Sequence, residues 1–333
     1  MKKIKYAIEI GGSNTKIYIH GEGFALCEPT LVGAEPTPHG YQIVGLGQAA
    51  KEMLGKTNDS IEVFSPISNG KINNYEYLKT LLEYFFEKVG FKKNHDSVMV
   101  LVNLGLNDKD REIFLNLMYE IGFKDVKLLP TIIASCIGAG RNVSSTKATL
   151  MVNIGGANTD IAVVNMNSIV KGATLGLGGR AVDVAIANTI AYNHGIVIGL
   201  GTSEKVKKEV GSLYPNDTLN MEVTGVDIET KVPCSYIISS NDLLPVLEPF
   251  FEEIVRVVDV TITSLPPEIS ADIINSGVLF CGGMSQINGL DGYLRYNLRY
   301  PFKIVDDGDN AAINGAGKLL EDLDLLAKLY ENT

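Results

Sequence analysis

Residues 8–19 read IEIGGSNTKIYI, and residues 152–163 read VNIGGANTDIAV. Six of the twelve aligned positions are identical, and both copies place an apolar residue, an acid or amide, a Gly-Gly pair and an Asn-Thr pair in the same order. The copies lie 144 residues apart, whereas solenoid units recur every ~20 to 50 residues. The repetition therefore predicts two similar domains that face each other, each contributing one copy.

Composition agrees with two domains. The chain has 333 residues, of which 45% are apolar, enough for two hydrophobic cores. It contains no apolar run of about 18 residues, which predicts a soluble protein, and the start MKKIKYAIEI passes from lysines into a strand without a signal peptide. Four scattered cysteines suit a reducing cytosol. A net charge of -10 argues against nucleic-acid binding.

The first half of the chain is predicted to be mixed α/β. A hairpin surrounds the first Gly-Gly, residues 74–89 place apolar side chains at helical spacing, residues 98–104 form a buried strand, and residues 109–122 form a helix that ends at glycine. The Gly- and Pro-rich region 21–47 is interpreted as a small irregular insertion outside the core.

The second half begins with a hairpin of the same type. Helices are predicted over 183–192, 203–210 and 243–265, the last one ended by two prolines. Residues 214–236 read as polar strands, and residues 278–283 read as a strand that enters a glycine turn. The helical segment 311–330 is expected to cross back onto the first domain.

The hairpin tips suggest a ligand. A Gly-Gly-small-Asn tip presents backbone N–H groups without side-chain obstruction, an arrangement suited to phosphate oxygens. A single glycine motif is a weak signal, because Gly-Gly also makes a tight hairpin. Two facing copies favour a clamp around a polyphosphate, and the turn at Gly282 and Gly283 would let backbone approach a flat ring.

Longer segments resemble the MreB/Mbl family of bacterial actin homologues, within the superfamily of actin, heat-shock chaperones and sugar kinases. The similar segments run almost end to end and include EIGGSNTKIYIHGEG, VGLGQAAKEMLGK, CIGAG, NIGGANTDIAVV, TSEKVKKEVGS, LPPEISADIINSGVLFCGGMSQINGLDGYL and VDDGDNAAINGAGKLLE. The resemblance implies an α/β, actin-like two-domain fold with a duplicated sheet-and-helix core and a nucleotide cleft between the domains. We expect a first domain of 1–145 plus about 311–333, with an insertion at about 31–65, and a second domain of 146–310, with an insertion at about 181–243.

The resemblance also implies an ATP site with Mg²⁺. Without it, the charged positions of TSEKVK would be interpreted as a solvated helix face. The residues at the matching positions are Gly11, Gly12, Ser13 and Asn14 in the first hairpin, Gly155, Gly156, Ala157 and Asn158 in the second, Glu204, Lys205, Val206 and Lys207 beside the adenosine, and Gly282, Gly283, Met284 and Ser285 at the adenine-side turn.

The chain departs from the family at the positions that support hydrolysis. Glu9 replaces an aspartate of the first hairpin and is the only predicted anion for Mg²⁺, whereas Asn153 replaces the aspartate of the second hairpin and cannot ionise. Pro130 and Thr131 stand where the family has two glutamates. We therefore predict no catalytic residue and weak or absent ATPase activity. Arg180 either directs its charge toward a phosphate or lies on the surface, and the surface position is favoured.

The leading hypothesis is a cytoplasmic filament whose subunits stack head to tail, acting in cell shape or intracellular organisation. Plasmid segregation, motility and a non-polymerising regulator of actin-like filaments remain alternatives. A sugar kinase would need a catalytic acid, and a chaperone would need a further domain. The expected partners are other copies of the chain and other actin-like proteins. At most weak peripheral contact with the inner membrane face is predicted, through Phe91, Lys92 and Lys93, for which a solvent loop is the favoured interpretation.

Overall fold

A computed structural model describes residues 4–38, 40–56, 60–92 and 96–330. Its strands are β1 (Tyr6–Ile10), β2 (Asn14–Ile19), β3 (Gly23–Pro29), β4 (Val32–Thr37), β5 (Gly40–Leu46), β6 (Glu62–Phe64), β7 (Ile67–Ser68), β8 (Lys71–Ile72), β9 (Ser97–Val102), β10 (Asp125–Pro130), β11 (Thr149–Ile154), β12 (Thr159–Asn165), β13 (Ser168–Leu175), β14 (Ile196–Val197), β15 (Asn220–Asp227), β16 (Pro233–Ser239), β17 (Val278–Cys281) and β18 (Phe302–Ile304). Its α-helices are α1 (Gln48–Met53), α2 (Tyr75–Lys88), α3 (Asp108–Ile121), α4 (Thr131–Gly138), α5 (Gly179–His194), α6 (Leu200–Val210), α7 (Ser240–Thr263), α8 (Pro267–Ser276), α9 (Leu290–Asn297), α10 (Ala311–Glu321) and α11 (Leu323–Tyr330).

Two five-stranded sheets share one topology. The first has the order β10-β9-β1-β2-β3 and the second has the order β13-β12-β11-β17-β18. In each sheet, the strand that opens the hairpin pairs antiparallel with the next strand and parallel with a later one. The sequence repeat is thus a repeat of structure, and the predicted duplicated sheet-and-helix core is confirmed.

The two hairpins also share one register. Glu9 pairs with Lys16 in the first hairpin, and Asn153 pairs with Asp160 at the equivalent position of the second. Because side chains alternate between the faces of a strand, equal registers place equivalent residues on equivalent faces. Each residue of the first hairpin can therefore be compared directly with its counterpart.

Helices α4 and α10 lie between the two sheets. The core around them includes Met99 of the first sheet and Met151 of the second, both fully buried. Two glycines permit the close approach of these helices. A Cβ at Gly138 would lie 2.7 Å from the carbonyl carbon of Ala311, and a Cβ at Gly315 would lie 2.7 Å from the carbonyl carbon of Ala134. The contacts of α10 with β1 and β2 confirm the expected return of this segment onto the first sheet.

Smaller sheets accompany the large ones. The strand order is β5-β4-β6 in one and β14-β15-β16 in the other, and their strands fall within the insertions expected at 31–65 and 181–243. The domain boundaries themselves remain a prediction. The irregular insertion expected over 21–47 is wrong, because β3 is an edge strand of the first large sheet and β4 buries Val32 and Ala34 completely.

The predicted helices are present, with shifted ends. Helix α2 coincides with 74–89 within a residue at each end, and α3 ends before Gly122 as expected. Helix α7 begins three residues earlier than position 243, at Ser240. The cause is local, since Asp242 accepts a hydrogen bond of 2.8 Å from the backbone N–H of Ser239 and so begins the helix.

Phe91 packs into an aromatic cluster. Its ring stacks on Phe123 with centroids 4.4 Å apart and meets the edge of Tyr6 at 5.7 Å. Insertion into a membrane would remove the ring from this aromatic cluster, and the expected weak membrane contact remains a prediction. Lys93 lies outside the described residues. Within the described ranges, no helix is long and apolar enough to cross a membrane.

Candidate nucleotide cleft

One large cavity lies between the two sheets. Its volume is about 710 Å³, and residues of both hairpins line it. The structure thus brings together residues that are far apart in the chain. The predicted site residues found in the lining are Glu9, Gly11, Gly12, Ser13, Asn14, Thr131, Asn153, Gly155, Gly156, Ala157, Asn158, Glu204, Lys207, Gly282, Gly283 and Met284.

Four predicted residues do not line the cavity. Lys205 points away and pairs with Glu209, while Val206 is fully buried in the hydrophobic core. Both corrections follow from helical periodicity, because α6 presents only one face to the cavity. Ser285 is buried and donates a hydrogen bond of 2.7 Å to the Gly282 carbonyl, and Pro130 precedes α4 at the end of its strand.

The two hairpin tips touch each other. In each turn the first glycine N–H donates to an asparagine carbonyl at 3.0 Å, from Gly11 to Asn14 and from Gly155 to Asn158. A Cβ at Gly12 would lie 2.7 Å from the Cβ of Ala157, and one at Gly156 would overlap Ser13 of the opposite tip. Neither glycine has a positive φ. They are needed for space between the tips rather than for backbone conformation.

Side chains also cross the cleft. Asn103 donates to the amide oxygen of Asn158 at 3.3 Å, and the backbone N–H of Leu104 donates to Asp160 at 3.4 Å. At another place, Lys51 of α1 forms an ion pair of 3.4 Å with Glu204 of α6. These contacts hold the two halves together around the cavity without closing it.

Arg180 is a correction to the sequence analysis. Its guanidinium donates a hydrogen bond across the cleft to the carbonyl of Gly12, and its side chain lines the cavity. Burial lowers the pKa of Arg180, and the carboxylates of Asp183 and Glu204 offset this only in part. The favoured surface position is therefore wrong, because the start of α5 lies against the second hairpin and directs this residue inward.

Glu9 lies beside a buried lysine. Lys16, 3% exposed, forms an ion pair of 3.0 Å with Asp309. Burial alone would lower the pKa of Lys16, but the carboxylates of Glu9 and Asp309 raise it. Burial raises the pKa of Glu9 despite the nearby ammonium group. The Oε2 atom of Glu9 is buried and has no hydrogen-bond partner among the described residues.

An unpartnered carboxylate oxygen in the cavity wall fits a hydrated Mg²⁺. Protein sites for this ion commonly supply one or two carboxylates, while water and substrate phosphates supply the other ligands. Across the described residues, no group of three or more His, Cys, Asp or Glu side chains could hold a metal ion alone. The cavity wall therefore fits a cation that enters with a phosphate ligand.

A second carboxylate was missed from the sequence. Asp160, 2% exposed, lines the cavity and accepts hydrogen bonds from Thr174 at 2.6 Å, Asn158 at 3.3 Å and Leu104 at 3.4 Å. Burial raises its pKa, and these hydrogen bonds act in the opposite direction. Glu9 is thus not the only acid at the hairpins. A comparison of the two repeats position by position was the available signal, because it shows the acid Asp160 at the position that Lys16 occupies in the first copy.

The cavity wall formed by α5 and α6 carries a buried ion pair. Lys207 lies 2.6 Å from Asp183 and donates to the Gly179 carbonyl at 2.8 Å. Burial lowers the pKa of Lys207 and raises that of Asp183, each opposed by its partner. Glu204 pairs with Lys208 at 2.6 Å as well as with Lys51. This wall presents fixed, internally neutralised polar groups beside Met284, which suits a nucleoside better than a phosphate.

Two sheets of equal topology, two hairpins of equal register and one cavity between them define a protein with the actin-like fold. This conclusion comes from the arrangement of the chain and does not depend on any single motif. The chain belongs to the MreB/Mbl protein family, whose sequence model matches residues 3–328.

Individual relatives agree with this assignment. The cell shape-determining protein MreB of Escherichia coli (strain K12) is 32% identical over 325 residues, covering 96% of this chain and 94% of the relative. MreB5 of Spiroplasma citri bound to AMPPNP is 29% identical, with a TM-score of 0.91 over 98% of each chain. MamK in a double helical filament has a TM-score of 0.78 at 18% identity, covering 96% of this chain and 99% of MamK, and supports the fold alone.

Proposed function

We propose that this chain is an MreB-type cytoskeletal protein that binds ATP and polymerises into filaments. The observation that carries the proposal is a cavity of about 710 Å³ walled by both copies of the repeated hairpin. Two tips with open backbone donors suit a polyphosphate. A similar protein supports the nucleotide site, since MreB5 of Spiroplasma citri was solved with AMPPNP.

The cavity suggests how the nucleotide lies. The hairpin tips would hold the phosphates through backbone N–H groups, and Glu204 and Lys207 would lie beside the adenosine. The turn at Gly282 and Gly283, with Met284, would approach the adenine. Mg²⁺, when bound, would neutralise phosphate charge, with Glu9 contacting it through water.

We propose that hydrolysis is slow or absent. Thr131 and Asn153 line the cavity but cannot ionise as carboxylates do. Both oxygens of Asp160 already accept hydrogen bonds, two from Thr174 and Asn158 of its own half and one from the backbone of Leu104 across the cleft. Loss of a positioned acid or base commonly costs ~10²- to 10⁴-fold in rate.

Filaments require head-to-tail contacts that do not close into a ring. We propose a role in cell shape or intracellular organisation in the cytoplasm, with at most weak peripheral contact with the inner face of the membrane and with other actin-like proteins as further partners. Plasmid segregation and motility are uses of the same filament that the cavity does not distinguish.

Titration calorimetry with ATP, with and without Mg²⁺, tests the nucleotide site. Light scattering and electron microscopy of the same samples test polymerisation. We expect ATP binding and filaments. Absence of ATP binding would refute the nucleotide site. A protein that binds ATP but stays monomeric at high concentration would instead be a non-polymerising regulator, and phosphate transfer to sugars would indicate a kinase.

A further inference from the structure

The positive charges of the cavity are unequally compensated. Five cationic side chains line it, and four of them form ion pairs with carboxylates. Within the described ranges, Arg180 is the cavity cation that has no such pair. The paired residues are Lys16 with Asp309, Lys51 and Lys208 with Glu204, and Lys207 with Asp183.

The backbone fixes where this charge lies. The N–H of Arg180 donates to the Gly156 carbonyl at 2.8 Å, and the N–H of Gly179 donates to the Gly155 carbonyl at 3.0 Å. The guanidinium then reaches Gly12 on the opposite tip. Arg180 therefore lies where the two hairpins meet, at the phosphate end of the cavity.

The hydrogen bonding of the guanidinium is incomplete. A guanidinium has five N–H donors, and the contact with Gly12 is the one hydrogen bond that its side chain makes to the described residues. Asp183 and Glu204 offset part of the cost of burying this cation, but neither carboxylate forms an ion pair with it. A ligand that supplies an anion in direct contact would remove more of this cost. Two N–H groups of the planar guanidinium can donate to two oxygens of one phosphate at the same time.

We propose that Arg180 is a phosphate ligand that binds the terminal phosphate and makes the cleft prefer a nucleoside triphosphate to a diphosphate. The inference rests on the proposed function, because it assigns a role within the same cleft. The guanidinium supplies a fixed positive charge to a cavity in which Asn153 and Thr131 provide no carboxylate to hold a cation.

Binding of ATP, ADP and adenosine to the purified full chain tests this role. The variants are Arg180→Met, which removes the charge, and Arg180→Lys, which keeps it as a point charge. Arg295→Met is the matched control, because it removes one positive charge from a side chain that is 76% exposed on α9. Thermal unfolding of each ligand-free variant shows whether it is folded.

We expect Arg180→Met to raise the Kd of ATP by about 10- to 100-fold, the effect of losing a hydrogen bond to a charged group. The Kd of ADP should rise less, and that of adenosine should not change. The Kd of ATP for Arg180→Lys should lie between the values for Arg180→Met and the wild type. If Arg180→Met does not fold, Arg180→Lys provides the test. Arg295→Met should bind like the wild type.

Equal losses for ATP and ADP, or unchanged ATP binding in Arg180→Met, would overturn the assignment to the terminal phosphate. Either result leaves the nucleotide cleft intact, since the wild type still binds ATP. A wild-type chain that binds neither ATP nor ADP would overturn the proposed function and this inference together.

Discussion

The contact between the hairpin tips predicts that a methyl group at Gly12 weakens ATP binding. A Cβ there would lie 2.7 Å from the Cβ of Ala157, whereas carbon atoms in contact stay about 3.5 to 4.0 Å apart. The tips must therefore separate by about 1 Å, and overpacking of this kind costs about 1–3 kcal/mol. If both tips hold one phosphate chain, Gly12→Ala raises the apparent Kd of ATP by about 5- to 150-fold.

The opposite tip offers a compensating change. In the double variant Gly12→Ala with Ala157→Gly, the opposing methyl group is absent, and the next atom is the Cα of residue 157 at 3.8 Å. That distance is an ordinary contact. Titration calorimetry should therefore give the double variant an ATP Kd close to that of Ala157→Gly alone, which serves as the matched control.

Two results would refute the reasoning. A double variant that binds ATP as poorly as Gly12→Ala would mean that something other than the opposite tip excludes the methyl group. A Gly12→Ala variant that binds ATP like the wild type would mean that the tips do not touch in the protein that binds nucleotide.

Three further changes test other parts of the structure. Asn153→Asp with Thr131→Glu should raise single-turnover phosphate release by about 10²- to 10⁴-fold by restoring positioned carboxylates, and an unchanged rate would show that these positions do not limit hydrolysis. Gly138→Ala should lower the free energy of unfolding in urea by about 1–3 kcal/mol, because α10 leaves no space for a methyl group. Gly201→Ala, with nothing within 4 Å of its Cβ, is the matched control and should not lower it. Equal effects would contradict the packing argument. Glu9→Gln should reduce the gain in ATP affinity that Mg²⁺ produces over EDTA, whereas an unchanged gain would mean that the cation binds elsewhere.

The fold was predictable because its determinants are local or repeated. The apolar positions of α2 follow helical spacing, and Gly122 ends α3 where the sequence indicates. The two hairpins carry the same pattern, so the duplication could be inferred before any contact was known. Strands β4 and β5 were missed because turn-forming residues obscured their alternation, although Val32 and Ala34 are fully buried.

The site was only partly predictable because side-chain direction depends on tertiary packing. A motif identifies the segment of α6 but not its inward face, so Val206 was included although it lies in the core. Arg180 turns inward because α5 begins against the second hairpin, a contact between segments that no local pattern reveals. Asp160 could have been found by comparing the repeats position by position.

The shared register of the hairpins has a consequence for the direction of a bound ligand. Because the two hairpins share one register, their backbones present the same N–H donors on both walls of the cavity. The backbone alone therefore does not determine in which of two directions a bound polyanion lies. The paired side chains do. Glu9 faces a lysine across its hairpin, whereas Asp160 faces the neutral Asn153. The first hairpin places a base opposite its acid, whereas the second presents an acid without a basic partner across the strand. The two walls of the cavity therefore differ in charge because of two residue differences between backbones of the same arrangement.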